Sequence, residues 1–166
     1  MKRDNLKYLC LSALFSALVY LFCTFLSFPI VSGGYVHLAD GIIYIALSIL
    51  PRRYGFLATL GAFAADLFSA PVYAPFTLII KALFILAFTS GNDVILCRKN
   101  KIAPLFGIVI TVAGYAVADS IIFGSVKTAL VSALMNLIQG VASAVIYYVV
   151  AAALDKMSFK KYIERL

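Results

Sequence analysis

Charge is what this sequence has least of. Only 13% of its 166 residues are Asp, Glu, Lys or Arg, and the acidic ones number seven, whereas an ordinary soluble domain is about 25% charged. A small globular domain has too much surface to cover with so few charges, so a soluble fold is excluded. Cysteine and histidine are also scarce. Cys10, Cys23 and Cys97 lie far apart in apolar runs, and His37 is the single histidine. That spacing offers neither a metal-ligand set nor a disulfide framework, so the thiols read as ordinary buried groups. No GxxxxGK[ST] phosphate loop occurs, so the chain does not hydrolyse ATP by that route. Any uphill transport would draw on a partner or an ion gradient. No Pro/Gly/Ser linker or polar block divides the chain, and residues 1–166 read as one domain.

What is present is apolar: 64% of the residues are hydrophobic. The runs are long and continuous, without the every-second-residue alternation of barrel strands. The fold expected is therefore an all-α integral membrane protein. A spanning helix needs about 20 residues, with 17–25 as the working range. Runs of suitable character cover about Leu6–Phe28, His37–Leu50, Tyr54–Ala70, Phe76–Cys97, Ile102–Phe123 and Lys127–Leu154. The apolar N-terminal run is too long for a cleavable signal and ends in no small-residue cleavage site.

The net charge of +7 comes from 14 basic residues clustered between the apolar runs. That pattern fits topology and anionic headgroups rather than nucleic acid. Six spans with a cytoplasmic N-terminus put 12 of the 14 inside: Lys2, Arg3, Lys7, Arg52, Arg53, Arg98, Lys99, Lys101, Lys156, Lys160, Lys161 and Arg165. An odd number of spans would set the basic tail opposite the N-terminal cluster. The expectation is six transmembrane helices with both termini cytoplasmic, in the cell membrane.

Within this apolar chain, Gly33–Lys81 holds His37, Asp40, Asp66 and Lys81 at apparent membrane depth. An Asp or Lys at a helix centre costs roughly 2.5–3.5 kcal/mol on insertion, so such groups mark a polar cavity or an internal pair. Asp66 lies five residues before Pro71 and Lys81 six after Pro75. At about 1.5 Å per residue, both sit roughly 8–9 Å below the outer turn. Asp40 and Asp119 also fall in the outer half. An outward-facing pocket is one reading, and a structural Asp66–Lys81 pair is the other. Asn136 and Gln139 share a face of the sixth helix and could line the pocket or join helices. The aromatics Phe28, Tyr35, Tyr44, Tyr73 and Phe76 suit an interfacial belt. Tyr35 and Tyr73, however, flank loops able to fold over a planar ligand. His37, at a helix start, suits capping better than metal ligation. In the first helix, Ser12, Ala13, Ser16 and Ala17 form a smooth strip for close helix approach, either inside the molecule or with a partner.

On these residues the chain resembles the S components of energy-coupling factor (ECF) vitamin transporters. The likeness rests on Ala13-x-x-x-Ala17, on Gly34-Tyr35-x-x-Leu38-x-Asp40, and above all on Ala65-Asp66-Leu67…Tyr73-Ala74-Pro75-x-Thr77-Leu78-Ile79-Ile80-Lys81. The last block is similar to the riboflavin-type, hydroxymethylpyrimidine and pyridoxine group, and Ala39 stands where that group suggests glycine. The resemblance implies a non-enzymatic, cofactor-free subunit that captures a vitamin from outside with nanomolar-class affinity, under a lid made by the first loop. It also implies docking through the small-residue strip onto a transmembrane T subunit with two cytoplasmic ATPases, and release by toppling. The substrate-binding set implied is Tyr35, His37, Asp40, Asp66, Tyr73, Thr77, Lys81, Asp119, Asn136 and Gln139. A pyridoxine-like or hydroxymethylpyrimidine substrate is the main expectation, and a riboflavin-like one the alternative. An intramembrane aspartyl hydrolase using Asp66 and Asp119 and a stand-alone ion-coupled carrier are competing classes.

Overall fold

The computed structural model describes residues 3–29 and 35–165. Helix α1 (Arg3–Phe25) leads into a short antiparallel hairpin, β1 (Ser27–Pro29) with β2 (Tyr35–His37). Five helices follow: α2 (Asp40–Ile49), α3 (Arg52–Ser69), α4 (Ala74–Ala87), α5 (Arg98–Phe123) and α6 (Val126–Lys156). The short α7 (Phe159–Arg165) closes the order. Gly33 and Gly34 of the expected lid lie outside the described residues.

The protein is largely membrane-spanning and helical, but its helices are unequal. Among the described residues α1, α5 and α6 are long and apolar enough to cross a membrane. Helix α3 carries Arg52, Arg53 and Asp66 within its 18 residues. Helices α2 and α4 have 10 and 14 residues, which at 1.5 Å rise amounts to about 15 and 21 Å. Both fall short of the ~30 Å hydrocarbon core. The exterior is lipid-like throughout, with Leu14, Phe68, Ile79, Leu86, Val109 and Leu130 all exposed. Patches of that extent are foreign to a soluble monomer.

Helix α2 can be short because protein, not lipid, surrounds it; all of it except Ile42 is buried. Tyr44, expected among the interfacial aromatics, is at its centre with no exposure, stacked on Phe88 at 4.8 Å and edge-on to Phe84 at 5.1 Å. Its ring tip passes over α5 at Gly107, where a Cβ would meet the hydroxyl at 2.3 Å. The fourth apolar run ends at Ala87 and not at Cys97. The polar stretch Thr89-Ser90-Gly91-Asn92-Asp93 explains this, because such side chains compete for backbone hydrogen bonds and favour turns.

Non-helical backbone near a membrane needs substitute partners for its polar groups, and three side chains supply them. Asn100 accepts from the Thr89 amide at 2.8 Å and donates to the carbonyls of Thr89 and Ile95. The Asp155 carboxylate accepts from the amides of Ile95 and Leu96 at 2.7 and 2.9 Å. Lys160, expected as part of a basic tail, is instead buried. It donates to the carbonyls of Ser90 at 2.7 Å, Ser48 at 3.3 Å and Asn92. That burial pulls its ammonium below the ordinary lysine pKa.

The small-residue strip divides between two faces. Ser12 is buried and Ser16 half-buried toward α3, while Ala13 and Ala17 are exposed. Helix α1 meets α3 at Gly61, where a Cβ would stand 2.1 Å from the Ser16 carbonyl oxygen. The backbone itself blocks that space, so Gly61→Val forces the helices apart. Overpacking of this kind costs about 1–3 kcal/mol, and a lower melting temperature in detergent is expected. Gly91→Ala, whose Cβ would meet only the Thr89 hydroxyl at 3.8 Å, serves as the near-neutral control.

Candidate functional site

The ends of α3 and α4, the hairpin and the middles of α5 and α6 converge on two polar layers. The deeper layer is an ion pair. Asp40 opens α2 and Lys81 lies on α4, and both are fully buried. Lys81 Nζ is 2.7 Å from Asp40 Oδ1 and donates to Oδ2 at 2.9 Å. Gln139 of α6 also donates to that Oδ2, at 3.0 Å. The Gln139 carbonyl in turn accepts from the His37 amide at 3.0 Å. The lysine ammonium lies 5.2 Å from the ring centres of Phe84 and Tyr115, within cation–π range. The partner of Lys81 is thus Asp40, and the Asp66–Lys81 pair weighed from depth does not form.

Asp66 organises the upper layer. Its two oxygens accept from the hydroxyls of Tyr35 on β2 and Thr77 on α4. Thr77 also shares a hydrogen bond with the Tyr115 hydroxyl at 2.8 Å. Proline at the start of α4 suits that position, since it gives up an amide the helix does not use. The same turn brings Tyr73 to donate to Asp119 Oδ1 at 2.5 Å. Among the described residues the second Asp119 oxygen is buried without a donor.

Above these layers is a cleft lined by Tyr35, His37, Asp66, Ala70, Tyr73, Tyr115, Ser132 and Asn136. Its free volume is about 20 Å³, roughly the room one water needs. Three tyrosine rings, one carboxylate, one amide and one hydroxyl suit a flat ligand with several hydrogen-bonding edges. Among the described residues no group of three His, Cys, Asp or Glu could hold a metal ion.

Of the ten anticipated site residues, Tyr35, His37, Asp66, Tyr73 and Asn136 line the cleft. Thr77 and Asp119 stand behind it and hold Asp66 and Tyr73. Asp40, Lys81 and Gln139 lie in the deeper layer, where Gln139 anchors the hairpin at His37. His37 does not start a helix. It ends β2, and its Nδ1 accepts from the Ala39 amide at 3.3 Å. Ala39 has ordinary right-handed helical angles and no exposure, so nothing there demands glycine. Tyr115 and Ser132 were not anticipated, although each lies four residues before a residue that was, Asp119 or Asn136, and so shares its helix face.

A family model described as "ECF-type riboflavin transporter, S component" matches residues 3–156. The chain belongs to this family. The S component is a multi-pass membrane protein of transport, not an enzyme. No curated protein matches the chain. The family description agrees with the riboflavin-like alternative better than with the pyridoxine-like or hydroxymethylpyrimidine expectation. The aspartyl-hydrolase reading fails with the assignment, and Asp66 and Asp119 take their hydrogen bonds from separate hydroxyl donors.

The ion pair of this S component gives a direct prediction. Lys81→Met leaves Asp40 buried and unpaired, which costs about 3–5 kcal/mol where such pairs are broken one side at a time. Pairing it with Asp40→Leu should recover most of the loss, as a double-mutant cycle in detergent would show.

Proposed function

We propose that this S component captures a flat heteroaromatic vitamin of the riboflavin type in the cleft around Asp66. The observation behind the proposal is the convergence of Tyr35, Tyr73 and Tyr115 on a buried carboxylate with Asn136 and Ser132 beside it. Rings there stack on the ligand, and Asp66 and Asn136 read its edge. The family description favours riboflavin. The narrowness of the cleft favours a smaller ring such as pyridoxine or hydroxymethylpyrimidine, since drug-sized ligands fill pockets of about 300–1,000 Å³. Either ligand enters when Tyr35 leaves Asp66 and the hairpin swings away. The loop through Gly33 and Gly34 then acts as a lid.

The same proposal includes six membrane-crossing segments with both termini in the cytoplasm, as the basic clusters favour. In it the cell membrane houses the protein. A transmembrane T subunit with two cytoplasmic ATPases supplies the energy, since this chain carries no phosphate loop. The T subunit docks beside Ala13 and Ala17, which are exposed on α1.

The deciding experiment is native mass spectrometry of the purified protein, followed by calorimetry with riboflavin, pyridoxine and hydroxymethylpyrimidine. Tight riboflavin binding is expected, weakened about tenfold or more in Asp66→Asn, where a hydrogen bond to a charged group is lost. Binding of only the smaller rings would overturn the riboflavin assignment. Binding of none would overturn the site.

A further inference from the structure

The α4–α5 pair carries two apolar clefts apart from the cleft around Asp66. Helix α4 stops at Ala87, and the chain reaches α5 only through the clamped segment 88–97. Only the last turn of α4, at Leu86 and Ala87, reaches the first turns of α5. The two clefts follow from this. The larger, about 520 Å³, lies between Leu83 on α4 and Val109 on α5. The smaller, about 280 Å³, lies between Leu86 and Phe106. Ile110 lines both, so they adjoin.

The smaller cleft has one charged wall, Lys99. Arg98 and Lys101 are also exposed in the first turns of α5, on other faces of the helix. The first-turn amides of α5 add positive character, because Cys97 provides no side-chain cap. Asp93 is the acidic residue nearest in sequence; Asp155 already accepts from Ile95 and Leu96. An apolar trough that ends at a lysine ammonium has the amphipathic pattern of one anionic phospholipid.

We infer that the α4–α5 trough retains an anionic phospholipid, its acyl chain along Leu83, Ile110 and Phe106 and its phosphate at Lys99. A transmembrane helix from another protein fits less well. Cytoplasmic flanks of such helices are rich in Lys and Arg, and these would meet Lys99 and its neighbours with like charge. Basic pockets between helices at the membrane surface select acidic headgroups instead.

The test uses the full chain in nanodiscs of phosphatidylglycerol and phosphatidylcholine in equal amounts. Lipid retained after gentle detergent extraction is read by native mass spectrometry. Phosphatidylglycerol should be retained about fivefold over phosphatidylcholine, the effect of one basic residue near an anionic surface. Lys99→Gln should abolish the preference, while Lys127→Gln, exposed on α6 away from the trough, should leave it intact. Val109→Trp, which narrows the larger cleft from an exposed position, should reduce retention of both lipids. Equal retention of the two lipids by the wild type, or an undiminished preference in Lys99→Gln, would overturn the assignment. So would efficient disulfide-linked dimers of Phe106→Cys in the same discs, which would make the occupant a second copy.

Discussion

The structure depends on two charges that see no water. Taking a carboxylate and an ammonium out of water costs several kcal/mol each, and their attraction compensates only when geometry is good and the remaining hydrogen-bonding capacity is used. Here the ammonium lies within 2.9 Å of both Asp40 oxygens, and two aromatic rings face it. Oδ2 accepts from Lys81 and Gln139, and Oδ1 has the ion contact alone among the described residues. The arrangement draws one helix each from the centre, the α4 side and the α6 side of the bundle onto one point. Gln139 then passes the constraint to the His37 amide, which positions the hairpin strand carrying Tyr35. Tyr35 closes over Asp66. The cleft around Asp66 is thus assembled on top of the ion pair and inherits its position from it.

This layering separates the residues that line the cleft from those that hold them. Among the described residues the cleft-lining carboxylate is engaged by hydroxyl donors, Tyr35 and Thr77. A ligand can displace a hydroxyl more readily than the ammonium that Asp40 holds. Hydroxyl-to-carboxylate contacts lie in the upper layer and the ion pair below. Tyr73 and Asp119 repeat the pattern at the side wall, with the ring at the cleft and the acid behind it.

The three long helices were legible from hydropathy alone, because lipid contact demands an apolar surface along most of their length. The charged groups were expected at one level, whereas Asp66 and Lys81 fall in different polar layers. Azimuth was not legible. Depth arithmetic set Asp66 level with Lys81, but only the rotation of α2 and α4 decides that Asp40 receives the lysine. Helices that are apolar on most sides give little periodic signal for that rotation. Tyr44 misled for the same reason, since an aromatic near a helix start reads as interfacial until its neighbours are known. The end of α4 was missed, because the fourth run was carried to Cys97 through the polar turn-formers Thr89–Asp93. Lys160 was missed too, because a buried lysine serving carbonyls looks identical in sequence to one facing headgroups.

The Lys160 contacts bear on how the protein can be handled. Three backbone carbonyls, one at the end of α2 and two in the segment between α4 and α5, converge on one ammonium supplied by α7. The last short helix is therefore a plug seated in the base of the bundle. A shortened expression version ending at Lys156 would uncork it and leave those carbonyls facing an empty socket. A fluorescent or affinity fusion belongs beyond Arg165, joined through a spacer long enough that the plug stays seated.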